Sequence, residues 1–351
     1  VPDGRLEKLA DLVAAEEGDR GMDPSTSLRT NRPPIVQAVV RFVDIAGLVK
    51  GASQGEGLGN QFLSHIRETD AIVEVVRNFS DENIIRAGAS EPSSDIEIVN
   101  TELILSDMQT ANKRIEGLEK QNKSPDFEKI IKPKIEVLRK VLVGFDRGVL
   151  ASFQGFTDEE KELLKDANLL TLKPFIYAFN SDEAEVAELS SQGVIPGRDL
   201  GSRSLDSGSL SGMTEGDEDA IIFISAKLEA ELSSLSPEEQ KEYLKELGIT
   251  ESGLDKVVRS AFNELNLITY FTAGVKEVRA WTINKGDKAP RAAGKIHTDF
   301  ERGFIAAEVI STQELLSVGS YKKAKELGKI RLEGKQYVVA DGDVIEFRFS
   351  V

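Results

Sequence analysis

Four short runs rich in β-branched and aromatic residues frame this chain: IVQAVVRFVDIAG (35–47), AIVEVVRNF (71–79), LKPFIYAFN (172–180) and AIIFISAK (220–227). Each is apolar over most of its length and gives way to polar residues or a helical pattern, as buried strands of a parallel sheet do. Between the first two, NQFLSHIRETD reads as a helix, so residues 35–79 form a strand–loop–helix–strand unit, the repeating element of α/β sheets.

Composition narrows the choices further. The 351 residues leave room for two or three domains, and a hydrophobic fraction of 40% supplies a real core. There is no cysteine, which excludes disulfides, thiolate catalysis and cysteine-ligated zinc. The two histidines, His65 and His297, are too far apart in sequence to suggest a histidine-rich metal site. No apolar run approaches the roughly 20 residues of a membrane span. The opening VPDGRLEKLADLV has neither the basic nor the apolar part of a signal peptide, so the expected location is cytoplasmic. A formal charge of −16 argues against a nucleic-acid surface over the whole chain. From Ile268 onward, however, 14 Lys+Arg stand against 11 Asp+Glu, so a mildly basic module follows an acidic body.

Leu6, Leu9 and Leu12 give the first residues helical spacing. From about Ile96 to Asn168, apolar residues recur at three- and four-residue intervals on both sides of a turn, NKSPD. The simplest account is two long antiparallel helices, a hairpin or coiled coil inserted into the α/β domain, with Pro133 near the start of the second. Residues 191–219 are dominated by Ser, Gly and Asp and read as a mobile loop. SPEEQKEYLKELG is a helix with Ser236 as its cap and Pro237 at its first position. The remainder, from ITYFTAGV to the end, reads as a compact β-rich module in which Asp341-Gly342 marks a hairpin.

The chemistry sits where the apolar runs end. Asp44 closes the first run and Gly47 follows three residues later. A carboxylate at the end of a parallel strand lies where open α/β sheets bind ligands, and a glycine N–H can approach an anion closely. This D-x-x-G pattern suits a nucleoside triphosphate, with the carboxylate on Mg²⁺ and the glycine amide at the γ-phosphate. The later Gly51, Gly55, Gly57 and Gly59 would let the segment rearrange when that phosphate leaves. Asn180 follows the third run and Ser225-Ala226-Lys227 the fourth. In guanine-nucleotide-binding proteins, N-K-x-D and S-A-K loops in this order hold the base. Here the position of the aspartate is Glu183, one methylene longer, which spoils paired bonds to guanine and favours adenine.

With these motifs in order, the chain resembles the YchF/Obg-like ATPase family. DIAGLVKGASQGEGLGNQFLSHIRETDAIVEVVR, DIEIVNTELILSDM, SAKLEAEL, NLITYFTAGVKEVRAWTINKGDKAPRAAGKIHTDFERGFIAAEV and IRLEGKQYVVADGDVIEFRF carry the resemblance over nearly its whole length. It implies a translation-factor-class P-loop NTPase that prefers ATP and associates with ribosomes. The implied fold is α/β: a parallel P-loop-type sheet, a helical insertion, and a C-terminal β-rich TGS domain of β-grasp type. The expected division is 1–95 and 169–265 for the nucleotide domain, 96–168 for the insertion and 266–351 for TGS. By position, Asp44 and Gly47 would form the Mg²⁺/γ-phosphate switch, and Asn180, Ser181 and Glu183 the base loop, Ser181 through its backbone. Ser225, Ala226 and Lys227 would form the opposite wall. Leu48 stands where related GTPases place the glutamine that orients water, so intrinsic hydrolysis should be slow.

One part of the family pattern is missing. A phosphate cradle reads G-x-x-x-x-G-K-[ST], but the Gly-Lys pairs at 294–295, 328–329 and 334–335 are followed by Ile, Ile and Gln. The expectation is a chain without the P-loop segment, truncated rather than degenerate, in which ATP binding and hydrolysis are weak. The competing reading is a non-enzymatic ribosome- or RNA-binding adaptor with a vestigial nucleotide site. Lys322, Lys323, Lys325, Lys329 and Arg331 form a basic run that could contact RNA or ribosome, against the plainer reading of a solvated helix face. His297, among Asp299, Glu301 and Arg302, reads as structural rather than catalytic, and Trp281 as core.

Overall fold

The computed structural model describes residues 1, 3–18, 32–45, 58–79, 92–191 and 220–350. Residue contacts divide the chain into two compact units, Val43–Glu264 and a second made of Val1–Phe42 with Leu265–Val351.

In the second unit, α1 (Gly4–Gly18) and the short β1 (Ile35–Val36) open the chain. The first unit contains α2 (Leu58–Arg67), β2 (Ile72–Asn78), α3 (Pro92–Glu119), α4 (Lys132–Phe145) and α5 (Asp158–Leu164). It continues with β3 (Phe175–Ser181), α6 (Glu183–Ser191), β4 (Ile221–Ile224), α7 (Ala226–Leu232), α8 (Pro237–Glu246) and α9 (Gly253–Glu264). Strands β2, β3 and β4 pair in parallel in that order, with Asn78 opposite Ser181 and Asn180 opposite Ile224. β3 is buried on both faces. Phe175, Tyr177 and Phe179 join the core shared with α3 and α4, while Ile176 and Ala178 pack with Val257 and Ala261 of α9. That two-sided burial explains the unbroken apolar pattern of its sequence.

The helical hairpin is present but unequal. α3 has 28 residues and α4 only 14, the latter preceded by a π-helical turn at Phe127–Ile131, with Pro133 in its first turn. Both helices pack into the sheet's own core, through Ile96, Leu103 and Ile135 among others. Buried Asp107 of α3 accepts hydrogen bonds from the N–H groups of Leu170 and Thr171 (3.0 and 2.8 Å) and from the Thr171 hydroxyl (2.7 Å). α3 is thereby tied to the segment entering β3. The Ser236 cap forms as a full capping box with Glu239, and Pro237 opens α8. Of the Ser/Gly/Asp-rich stretch, Ser191 ends α6 and residues 192–219 lie outside the described residues.

The second unit continues with β5 (Leu267–Ala273), β6 (Val278–Asn284), α10 (Ala289–Ile296), α11 (Thr298–Arg302) and β7 (Phe304–Ser311). It ends with α12 (Thr312–Val318), α13 (Tyr321–Glu326), β8 (Arg331–Glu333) and β9 (Asp343–Phe349). Its mixed sheet runs β1-β6-β5-β9-β7-β8. α1 buries Leu6 and Leu9 against this unit, and Arg5 reaches Asp341 (2.6 Å) while lying over the Phe271 ring.

Two expectations are corrected. Among the described residues of the run at 35–47, only Ile35 and Val36 form a strand, and it pairs not in the parallel sheet but with Val278 and Arg279 of β6 in the other sheet. Residues 37–45 form no strand, and Val39, Phe42 and Val43 are exposed. β-branched content proposed a strand, and the hydrogen-bonding partners were found elsewhere. Nor does Asp341-Gly342 join a hairpin. Gly342 turns there with φ +82°, but KQYVVA before it makes one isolated bridge, Val338 to Lys288, and β9 pairs with β7 and β5 instead. The turn is fastened to β5, where the Thr269 N–H donates to the Asp341 carboxylate (2.9 Å) and Gly342 N–H donates to the Thr269 carbonyl (2.8 Å).

One half-buried acid of the parallel sheet, its Oε2 closed off from solvent, has a measurable consequence. Glu74 of β2 lies opposite Tyr177, and its Oε2 has no hydrogen-bond partner among the described residues. Burial, aided by the nearby Asp95 carboxylate, pushes Glu74 up to about 8. The folded state therefore favours the protonated form, which is fully present below the unfolded value and is lost as pH rises through the folded one. This group should cost up to roughly 1.4 kcal/mol of stability per pH unit between those limits. Urea unfolding at pH 5.5 and 7.5 should show Glu74→Gln losing less stability on that rise than the parent chain; an equal loss in both would refute it.

Candidate nucleotide-base site

The carboxyl-terminal ends of β2, β3 and β4 bring together six of the residues expected from sequence: Asn180, Ser181, Glu183, Ser225, Ala226 and Lys227. β3 ends at Ser181, and α6 begins two residues later, with Glu183 and Glu185 in its positively polarised first turn. β4 ends at Ile224, and buried Ser225 caps α7 by accepting the N–H of Leu228 (3.4 Å). The two loops are joined twice. The Asn180 carboxamide oxygen accepts the Ala226 N–H at 2.9 Å, and Lys227 lies 3.0 Å from Glu183. The Glu183 carboxylate holds Lys227 above the ordinary lysine value.

Two contributors escaped the sequence. Asn78, at the end of β2, donates from one amide to the Ser181 hydroxyl (2.8 Å) and to Glu185 (3.3 Å). It thus cross-links the end of β2 to the end of β3 and to α6. No local pattern signals it, because its partners lie about a hundred residues further along the chain. Behind the second loop, Glu229 of α7 accepts the Gly253 N–H at 2.6 Å. A Cβ on Gly253 would meet Ile224 at 2.8 Å, so only glycine lets α9 pack this close to β4.

Asp44 is exposed and follows no strand, while Gly47 and Leu48 lie outside the described residues. Among the described residues no group of three or more His, Cys, Asp and Glu could hold a metal ion. A lone carboxylate does fit Mg²⁺, which is commonly held by one or two carboxylates, water and substrate phosphates. Of the basic run, Lys322, Lys323, Lys325, Lys329 and Arg331 are all exposed, but three are ion-paired within their own unit. His297 accepts the Asp299 N–H (3.2 Å) as the cap of α11, a structural task. Trp281 is half-buried against the module core, its indole N–H donating to Thr272 (3.0 Å).

A parallel sheet with base-type loops at the ends of adjacent strands defines a nucleotide-binding protein of the GTPase-like α/β class. Residues 21–104 match the family described as 50S ribosome-binding GTPase. Residues 267–350 match the C-terminal family of YchF GTPases, described as a protein of unknown function (DUF933). The ribosome-binding ATPase YchF of Bacillus subtilis (strain 168) is 46% identical over 353 residues, spanning 100% of this chain and 88% of its own. The protein of the same name from Escherichia coli O157:H7 is 43% identical over 352 residues with the same coverage. The solved structure of the Schizosaccharomyces pombe YchF GTPase aligns with a TM-score of 0.79 and 34% identity, over 99% of this chain and 86% of that one. The chain belongs to the YchF family.

The bond between the two loops can be tested by itself. Asn180→Ala leaves the Ala226 N–H without its acceptor, so exchange of that amide should rise about tenfold, the equivalent of roughly 1.4 kcal/mol. Unchanged exchange, followed by NMR, would mean that the two loops are held apart from this contact.

Proposed function

We propose that this chain is a ribosome-associated switch protein of the ATP-binding, ATP-hydrolysing type, weak or inactive in both respects where the P-loop is missing, with Mg²⁺ as the accompanying ion and the cytoplasm as its location. The observation that carries this reading is the convergence of Asn180, Glu183 and Ser225–Lys227 on one end of the parallel sheet, with relatives named ribosome-binding ATPases over the whole chain. Asn180 would shape the loop that faces the base, Ser181 would offer its backbone to adenine, and Ser225, Ala226 and Lys227 would form the other wall. Asp44 and Gly47 would serve the metal and γ-phosphate, and Leu48 would leave the attacking water without a side-chain partner. In this division nucleotide work belongs to 1–95 and 169–265, with the helical insertion at 96–168 and the TGS domain at 266–351; in the fold, residues 1–42 fall in the same compact unit as 265–351. Ribosome contact through Lys322, Lys323, Lys325, Lys329 and Arg331 is part of the same proposal. Among the described residues no helix is long and apolar enough to cross a membrane.

Calorimetric titration with ATP and with GTP, each with Mg²⁺, tests the reading. ATP should bind at least about tenfold tighter than GTP, a difference of roughly 1.4 kcal/mol. Shortening the carboxylate with Glu183→Asp should shift that preference toward GTP, because a carboxylate at aspartate reach can pair with guanine. GTP binding as tight as that of ATP would overturn the ATP preference, whereas no heat for either nucleotide, with ribosome binding retained, would fit the missing P-loop and leave the non-enzymatic adaptor as all that this chain does alone.

A further inference from the structure

Lys227 stands between two carboxylates. On one side Glu183, at the start of α6, lies 3.0 Å from its ammonium. On the other is Glu231, one turn further along α7 and therefore on the same helix face. Glu183, then Glu231 and the Tyr243 hydroxyl, hold the ammonium above the ordinary lysine value, so all three lie close to it. Glu231 is engaged elsewhere: the hydroxyl of Tyr243, from α8, donates to its carboxylate at 2.8 Å. That bond raises the Tyr243 hydroxyl above its usual range, so the phenol stays a neutral donor. The ring is held in place as well. It packs on the small core formed by Val186 of α6, Leu228 and Leu232 of α7, and Ile249.

We propose that Tyr243 is a positioning residue that sets the base preference of the nucleotide site, by keeping Glu231 from pairing with Lys227. The inference rests on the base-site reading above and names the device behind its selectivity. With Glu231 occupied, Lys227 stays with Glu183, and the two offer a donor and an acceptor side by side. Adenine presents the matching pair, an acceptor at N1 and a donor at N6. Guanine presents two donors, N1–H and N2–H, and asks for both carboxylate oxygens. Without the phenol hydroxyl, Glu231 is free to capture Lys227 as a pair one helical turn apart. Glu183 then loses its cation, keeps both oxygens open and suits guanine better. The effect is small, because one exposed ion pair replaces another, but it bears directly on the difference between two bases.

Two measurements on the full chain test this. Competitive amine labelling at mildly alkaline pH, read by mass spectrometry, reports how strongly a carboxylate protects Lys227. Glu183→Gln should speed labelling of Lys227 about threefold in the parent. It should have a clearly smaller effect in Tyr243→Phe, where Glu231 has already taken the lysine. The parent's response should return in Tyr243→Phe/Glu231→Gln, a rescue that a purely structural role for the phenol would not give. NMR titration with AMP and with GMP, which present the base without a triphosphate, reports selectivity through the amides of 180–185 and 225–229. The AMP-to-GMP affinity ratio should fall about twofold in Tyr243→Phe, the worth of one such pair, and recover when Glu231→Gln is added. An equal response to Glu183→Gln in parent and Tyr243→Phe, or a ratio that Tyr243→Phe leaves unchanged, would overturn the proposal and leave the base site standing. A parent chain whose loop amides respond to neither nucleotide sinks the base-site reading itself, and this inference with it.

Discussion

The parallel hydrogen-bonded register of β3 between β2 and β4 is the constraint on which the site depends. β3 is buried on both faces, so its register cannot slip without moving its apolar side chains out of two cores. That register sets Asn78 beside Ser181 and the end of β4 beside Asn180. Once the strands are aligned, the loops that follow have little freedom. Asn180 meets the start of α7, Asn78 meets the start of α6, and the Glu183–Lys227 pair spans the gap. The individual links are modest. In the Glu183–Lys227 pair the lysine is exposed and the carboxylate half-buried, so the pair contributes little to stability by itself. Precision comes from the core beneath.

Much of this end of the molecule was legible because its signals are local. Apolar runs identified β2, β3 and β4, Ser236 and Pro237 announced α8, and the order of N-x-x-E and S-A-K placed the two loops. What the sequence hid depends on partners far away in the chain. Asn78 looks like an ordinary polar residue at a strand end until β3 arrives beside it. The run at 35–47 has strand composition, yet composition names no pairing partner, and the two residues that do pair joined the sheet of the other unit. Asp341-Gly342 turns the chain as its residue types require, but a hairpin also needs two flanking strands that pair with each other.

The same lesson applies to charge. Counting lysines and arginines along the chain points to 322–331, where consecutive cations are conspicuous. Folding brings Glu308, Glu314, Glu333 and Asp343 to Lys325, Lys329 and Arg331 and so offsets part of that run, with Glu308 also paired to Arg348. Local surface potential follows from which charges remain uncompensated after folding, not from their density in the sequence.

In the proposed function the ends of β3 and β4 together hold a nucleotide base. Hydrogen–deuterium exchange of the chain with and without ATP and Mg²⁺ tests it most directly. Slower exchange is expected in peptides covering 180–185 and 225–229, with no change in peptides of β5 to β9. Unchanged exchange in both loops while ATP protects another region would contradict it.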